Sequence, residues 1–345
     1  MHYTFITFLL MVLSLQIATG QTEFRTRSDE AVLQASVDSL ERKLLAEGFQ
    51  NIAATVNTDV LYVTFENRRY RDEVAAVRRL SELVAAQPNF RAYTVDFTLQ
   101  NRSIPTVTGQ IQQEYSSDGG LLSVPSDIRF ADYKTWKKRF AQEPQNKGNW
   151  RIEFEFEPQL LLALGAARDP ILHQINLLPS TNLYLWRGGH VRIQGIIPIS
   201  DELKNPEDQF WRPRLLTLSQ YIPLPRQMML SATVGYFTER RYGGAVQLSK
   251  FFGKKSQFLL QANAAYTGFA SFPQVIDVDT PTRGWQFSAF NYFNYSIAAE
   301  YIIPKWNMRT RLAYQKTLLN KQVIRAEVWR QFDELQLGFF LYRFD

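Results

Sequence analysis

From Trp150 onward the chain alternates apolar and polar side chains in stretches of ten to eighteen residues. The clearest stretch sets Phe258, Leu260, Ala262, Ala264 and Tyr266 on one parity against Gln257, Gln261, Asn263 and Thr267 on the other. Period-two alternation marks a strand with one apolar and one wet face. Segments this long exceed the roughly five or six residues usual in globular sheets. They match the roughly 9–11 residues that a tilted strand needs to cross a bilayer. Eleven segments are read, near 150–164, 171–187, 190–199, 213–222, 227–238, 241–252, 256–269, 285–303, 306–317, 321–332 and 334–344. Gly188-Gly189, Gly253-Lys254-Lys255, Pro304-Lys305 and Leu319-Asn320-Lys321 supply turn chemistry between them, and longer polar connections run from Asp201 to Pro213 and from Pro273 to Gly284. Short turns on one rim and long loops on the other is a barrel asymmetry. The expected fold is mainly β: an antiparallel transmembrane β-barrel of about 10–12 strands, even in number, with a small N-terminal α/β periplasmic domain.

The same parity sorts the faces. Met228, Leu230, Ala232, Val234 and Tyr236 oppose Ser231, Thr233 and Gly235. Trp285, Phe287, Phe293, Tyr295, Ile297 and Tyr301 oppose Gln286, Ser288, Asn294, Ser296 and Glu300. Trp306, Met308, Leu312 and Tyr314 oppose Arg309, Arg311 and Gln315. A charge on a lipid face costs about 2–4 kcal/mol at midplane. Glu300, Arg309, Arg311, Arg325 and Glu327 are therefore expected to face the lumen. A soluble β-sandwich also alternates, but it turns every 8–12 residues or so, and the spacing here is longer.

Ahead of the strands, residues 21–104 read as a small α-β-β-α-β unit. Val32, Leu33, Val37, Leu40 and Leu44 form one helix face, and Gly48-Phe49 reads as a Schellman stop. Strands follow at 52–56 and 60–65 around Asn57-Thr58-Asp59. A second helix over 70–86 turns Val74, Val77, Leu80, Leu83 and Val84 inward and ends at Pro88, and a third strand covers 90–99. Residues 105–149 read as a connector, with loop chemistry at Ser116-Ser117-Asp118-Gly119-Gly120. A short basic helix over 131–142 carries Tyr133, Trp136 and Phe140 on one side; it fits an interfacial helix or plug less readily than a packed linker helix.

Residues 1–20 read as a signal peptide: an apolar run from Phe5 to Ala18, then Ala18-Thr19-Gly20 with small residues at the cleavage positions. Cleavage would leave 325 residues, 345 minus 20. There is no cysteine, which excludes disulfides, thiolate chemistry and a lipid-acceptor Cys. The net charge is +6, with signs interspersed, so no basic block argues for nucleic acid. Aromatic residues make up 14%, including 25 Phe, 16 Tyr and 7 Trp, which suits interfacial girdles. The expected place is the outer membrane, with the N-terminal domain in the periplasm. The expected partners are outer-membrane lipid, the barrel-assembly machinery, polysaccharide and periplasmic export components.

No catalytic motif, cofactor motif or metal motif is present: no HExxH, no GxSxG and no glycine-rich phosphate loop. Glu153, Glu155 and Glu157 share a parity; they read as the wet face of the first strand more readily than as a paired general acid. Asp277 and Asp279 read as a solvated loop more readily than as oxygen ligands. A hydrolase would need a Ser-His pair near a rim. Ser219, Ser231, Ser249 and Ser288 are candidates, with His173 and His190 as the histidines of the mature chain.

Phe340, Tyr342 and Phe344 alternate into the C-terminus, one residue before Asp345. They resemble the C-terminal insertion signal of outer-membrane barrels. The segments Leu230-Ser-Ala-Thr-Val-Gly-Tyr-Phe237 and Arg241-Tyr-Gly-Gly-Ala-Val-Gln-Leu248 carry a further likeness, together with Leu218-Ser-Gln-Tyr-Ile-Pro-Leu-Pro225. A strand ending in Gly-x-Phe, a short charged turn and Tyr-Gly-Gly opening the next strand resemble the YjbH family. Gly48-Phe49 and Phe65-Glu66-Asn67-Arg68-Arg69-Tyr70 resemble the α/β portion of such proteins. The resemblance implies a part in exopolysaccharide or capsule export or assembly, and it supplies no catalytic residues. The rival readings are a general diffusion pore or structural barrel, and a barrel-embedded hydrolase.

Overall fold

The computed structural model describes residues 27–70, 73–90, 93–115, 121–140, 144, 146–164, 171–202, 211–237, 240–253, 255–271, 286–316, 321–332 and 335–344. The expected signal peptide, the 116–120 loop and the Asp277/Asp279 segment lie outside these residues.

The N-terminal unit opens with helix α1 (Arg27–Ala46). Its face of Val37, Leu40 and Leu44 is buried, with Leu33 packed at the edge, whereas Val32 is exposed. One residue is about 100° of helix rotation, so Val32 falls off the stripe that starts at Leu33. The Schellman stop forms as expected: Phe49 N–H donates to Leu44 O (3.1 Å) and Gly48 N–H to Leu45 O (3.0 Å). Strands β1 (Gln50–Asn57) and β2 (Val60–Glu66) form an antiparallel hairpin. Helix α2 (Glu73–Ala85) then crosses to β3 (Thr94–Asn101), which lies parallel to β2. A parallel pair needs such a crossover. Helix α2 buries Ala76, Val77, Leu80 and Val84, but Val74 is exposed. Phe49, Phe65, Phe90 and Phe97 are fully buried in the centre of the core.

The stretch read as a connector extends this sheet. Strands β4 (Ile104–Tyr115) and β5 (Leu121–Phe130) continue the order to β1-β2-β3-β4-β5. Helix α3 (Tyr133–Arg139) follows, N-capped by Asp132, whose carboxylate accepts from Thr135 N–H at 3.1 Å. Trp136 is buried against the sheet, with Nε1 donating to Thr64 Oγ1 at 3.1 Å. This is the packed linker helix.

The second sheet holds β6 (Arg151–Leu164), β7 (Ile171–Tyr184), β8 (Gly189–Asp201), β9 (Arg212–Leu224), β10 (Met228–Phe237), β11 (Arg241–Phe252), β12 (Phe258–Ser271), β14 (Tyr292–Ile303), β15 (Met308–Lys316), β16 (Gln322–Phe332) and β17 (Leu335–Phe344). Each pairs antiparallel with the next, and the two-residue β13 (Gln286–Phe287) pairs with the end of β12. The expected single strand over 285–303 is therefore broken. Residues 288–291 fold back over β11 and β12: Tyr266 Oη donates to Phe290 O (2.7 Å), and Phe290 packs on the rings of Tyr242 and Tyr266. Gly243 lies beneath this fold-back, where a Cβ would meet Phe290 at 3.2 Å and the β12 backbone at Tyr266 O at 2.3 Å.

Among the described residues the main path has eleven strands, against the expected ten or twelve. Among the described residues no ladder joins β6 to β17, so the sheet is not closed into a barrel by backbone pairing. No described helix is long and apolar enough to cross a membrane. What stands is a mainly β chain built on two sheets, antiparallel apart from the β2–β3 pair.

Glu47 fastens the end of α1 to α2. Its carboxylate accepts from Tyr70 Oη (2.6 Å) and from Arg79 (3.0 Å). These bonds, that from Arg79 foremost, hold its pKa below the ordinary value. A carboxyl with a depressed folded pKa contributes stability that is full above the unfolded pKa, near ~4.3, and is lost as pH falls through the folded value. Glu47→Gln is expected to lower the melting temperature of the α/β unit at pH 7 and to flatten its decline at acid pH. Near-ultraviolet circular dichroism melts at stepped pH check this. An unchanged acid slope would show that Glu47 does not report the folded state.

Candidate functional site

The large sheet is inverted relative to a water-soluble one. On its polar face Gln174, Asn176, Ser180, Asn182, Gln194, Thr217, Ser219, Ser249 and Glu300 are buried. On the other face Ile152, Phe154, Phe156, Ile193, Leu216, Val246, Leu260 and Ile297 are exposed. Several of the buried polar groups find cross-strand partners, while Gln174 Nε2 and Asn176 Oδ1 have none among the described residues. Gln194 Nε2 donates to Ser180 Oγ (2.7 Å), Asn176 Nδ2 to Gln159 Oε1 (3.1 Å), and His190 Nε2 meets Asn182 Oδ1 (3.1 Å). An apolar face of this extent is the kind of surface that lipid or a partner covers.

The five charges picked out by parity all belong to the polar face. Strand register sets Arg311 directly opposite Glu300 on one side and Glu327 on the other. Arg309 reaches Glu300 at 3.5 Å, and Arg325 forms an ion pair with Glu327. Glu300 is buried, while Arg309 is about half exposed at the strand end. The structure thus brings all five into one patch of alternating sign across β14, β15 and β16.

Phe340, Tyr342 and Phe344 lie on this face too. Register pairs them with Glu327, Arg325 and Val323. The Arg325 guanidinium sits over the Tyr342 ring at 5.1 Å and the Phe340 ring at 5.6 Å. The opposite face of β17 carries Leu337, Phe339 and Leu341, all exposed, so β17 is apolar on both sides.

The α/β unit docks on the short-turn rim. The β3–β4 turn residues Arg102 and Ser103 both have positive φ, at 55° and 60°. Their N–H groups donate to the buried Glu66 carboxylate at 2.9 and 3.1 Å, which offsets that backbone cost. Arg102 O in turn accepts from Gly188 N–H (2.9 Å) in the β7–β8 turn, and its guanidinium covers the Tyr221 ring at 4.4 Å. Gly188 has φ +74°, and a Cβ there would lie 2.2 Å from Tyr221 O. Phe130 stacks on Phe251 at 4.3 Å, and its N–H donates to Ser256 Oγ at 2.8 Å. Glu153 completes the joint: it pairs with Arg151 (2.9 Å) and Arg68 (3.7 Å) and accepts from Tyr184 Oη (2.9 Å). Both of its oxygens are engaged in these contacts. Glu157 pairs with Arg192 at 3.4 Å, and Glu155 is exposed.

Helix α3 separates two clefts at this junction. One, of about 470 Å³, is lined by Asp96, Asp127, Asp132, Arg129 and Arg139 among others. The other, of about 460 Å³, carries Lys137, Lys147 and Arg187 with amide and hydroxyl side chains of Asn51, Gln100, Ser103 and Asn149, and no carboxylate among the described residues. No group of metal-ligating side chains is present among the described residues.

Among the described residues the four candidate serines make no side-chain bond to a histidine, although strand register sets Ser219 opposite His190. Ser219 bonds Thr233, Ser249 accepts from Gln247, and Ser288 bonds Ala289 O and Phe269 N–H. A different serine does: Ser200 Oγ lies 3.4 Å from His173 Nε2, and Glu202 Oε2 lies 2.6 Å from His173 Nδ1. Parity alone could have flagged Ser200 and Glu202 as neighbours on one strand face, but their alignment with His173 depends on the β7–β8 register.

Comparison with characterised proteins and with solved structures returned no match to this chain. A family model described as exopolysaccharide biosynthesis protein YbjH matches residues 10–267, which spans the α/β unit and the large sheet from β6 through most of β12. With three-quarters of its 345 residues covered by that model, the chain belongs to the YjbH family.

Proposed function

We propose that this protein is an outer-membrane β-barrel acting in the export or assembly of an exopolysaccharide, with its α/β unit in the periplasm. One observation carries the membrane reading: the large sheet exposes its apolar face and buries its polar one. In water that arrangement forfeits about 25 cal/mol for each Å² of apolar surface left exposed; in lipid it is the stable one. The family supports the polysaccharide role. The α/β unit sits on the rim of short turns, which in such barrels is the periplasmic rim. The basic, amide-lined cleft beside α3 then faces the compartment through which a glycan would arrive.

In lipid every backbone group needs a partner, so the free edges of β6 and β17 have to meet. With eleven antiparallel strands those two run in the same direction, and the seam between them is parallel. Phe340, Tyr342 and Phe344 serve recognition by the barrel-assembly machinery in this reading, before they settle along Arg325. The polar face, with its alternating charges, lines the interior.

The direct test is fractionation together with complementation. The protein is expected in the outer membrane, heat-modifiable on a gel, and required for normal surface polysaccharide in a deletion strain. Recovery from the soluble periplasm would remove the membrane reading. Full surface polysaccharide without the protein would remove the functional one.

Leu260→Arg is expected to impair membrane assembly far more than Gln261→Arg. The first charge enters lipid, at about 2–4 kcal/mol near midplane, and the second enters the polar interior. Equal yields of heat-modifiable protein would show that the faces are reversed.

The charge patch gives a thermodynamic check. Arg311→Met leaves Glu300 and Glu327 one strand apart on either side with no cation between them, and Arg311→Met combined with Glu327→Gln relieves the repulsion. The double-mutant cycle, read from the gel-shift midpoint temperature, is expected to give a coupling of about 0.5–3 kcal/mol. Strict additivity would mean that the patch is solvated and its members independent.

A further inference from the structure

We propose that Ser200, His173 and Glu202 form an esterase site at the rim opposite the α/β unit, acting on carboxylic O-acyl esters. The order of groups is the one nucleophilic acyl transfer needs: hydroxyl, imidazole, then a carboxylate on the far ring nitrogen. Glu202 Oε2 is 2.6 Å from His173 Nδ1, which fixes the tautomer that leaves Nε2 as the base. Ser200 Oγ is 3.4 Å from that Nε2, within the looser range expected before substrate binds.

The alignment is made by a bulge. Asn176 pairs with Pro198, but the register shifts and Ile175 pairs with Ser200. Glu202 N–H then donates to His173 O at 2.9 Å. Without the extra residue Ile199, the positions facing Ile175 and His173 would be Ile199 and Asp201. The bulge therefore moves a hydroxyl and a carboxylate onto the histidine's face, a use to which bulges beside active sites are put. The ladder between β8 and β9 stops at the Ile196–Arg212 pair. Since Glu202 N–H points to β7, alternation turns the N–H of Asp201 toward the β9 side of β8, beyond the last Ile196–Arg212 pair. That places a backbone donor on the residue after Ser200, where an oxyanion would develop. The His173 and Glu202 side chains are 34% and 49% exposed.

The reaction balances with water alone. Ser200 Oγ bonds to the acyl carbon and gives its proton to His173 Nε2. The ester C–O bond breaks, and the alcohol leaves with that proton. Water then gives a proton to the same nitrogen and attacks the acyl-serine carbon. The carboxylic acid leaves and Ser200 recovers the proton. Glu202 acts as a positioning residue that holds Nδ1–H through both halves. The ester could be carried by a lipid or by an O-acylated polysaccharide, and the two are separated by experiment.

The full-length protein, folded in detergent, is treated with a fluorophosphonate probe and assayed on two substrates: phosphatidylethanolamine vesicles, read by fatty-acid release, and O-acetylated xylan, read by acetate release. Covalent labelling of Ser200 is expected, with release from one substrate falling about 10³-fold or more in Ser200→Ala and in His173→Gln. Ser219→Ala is expected to match the parent. Glu202→Gln should lower the rate, and Glu202→Asp should recover much of it, because the shorter carboxylate can still hold Nδ1–H; a packing defect would not be rescued by a smaller side chain. Ser200→Cys gives a second measurement in a chain that has no cysteine of its own. Its alkylation by iodoacetamide should titrate below the usual thiol value of about 8.5, and His173→Gln should restore that value. No labelling of Ser200, release from neither substrate, release unchanged in Ser200→Ala, or an alkylation pKa indifferent to His173 would each overturn the proposal.

Discussion

Everything in the larger half of this molecule follows from where its strands put polar side chains. A sheet of alternating residues can bury either parity. Here Gln174, Asn176, Ser180, Asn182 and Glu300 are buried while Phe154, Phe156, Leu260 and Ile297 are exposed. Burying an amide or hydroxyl without a partner costs more than burying a methylene gains. The polar face is therefore stable only if its members bond to one another, and the cross-strand pairs Gln194–Ser180 and Asn176–Gln159 do so. Register matters more in such a sheet than in an oil-filled one, because a one-residue slip exchanges the two faces and breaks every such pair.

The second dependence is at the joint between the sheets. Glu66 is fully within the α/β unit, yet it organises the contact with the rim. By binding the N–H groups of Arg102 and Ser103 it holds a turn whose carbonyl and guanidinium reach Gly188 and Tyr221. Arg68 links Glu66 to Glu153 at the first residues of β6. The joint is thus a chain of charge-assisted bonds with aromatic contacts on either side, including Phe130 on Phe251. The β4–β5 pair contributes both Ile104, buried beside Gly188, and Phe130, so the segment between the two units is itself the fastening.

Much of this was legible in the sequence, for reasons that differ by element. The α1 stripe at Leu33, Val37, Leu40 and Leu44 follows from helical period alone, and the Gly48-Phe49 stop from local backbone chemistry. The long strands followed from period two, and so did the side on which Glu300, Arg311 and Glu327 lie. Val32 and Val74 show the limit of that reading: an apolar residue one step from a stripe is not distinguishable from its members by hydropathy. Strands β4 and β5 escaped because only Val107 and Ile111, separated by Gly109, alternate with Thr106, Thr108, Gln110 and Gln112, and because Pro105 and Pro125 argue against a central strand. The break between β13 and β14 escaped for another reason. The residues that seat it, Tyr242 and Tyr266, lie on other strands. The Ser200–His173 contact likewise needs a register shift that no single strand encodes.

The odd strand count ties these points together. An even antiparallel sheet returns its last strand to the rim where the first began. Here β6 starts at the rim that holds the α/β unit and β17 ends at the opposite one. The residues at that end, Tyr342 and Phe344, are therefore as far from the joint as the chain allows. They share their rim with His173, Ser200 and Glu202, which sit at the far ends of β7 and β8. One rim is thus occupied by a folded unit and tied by Glu66 and Glu153. The other carries the chain terminus, the longer connections and the partly exposed histidine. That division is what a protein needs if it meets one set of partners on one side of a barrier and a different chemistry on the other. It arises from topology, before any particular side chain is considered.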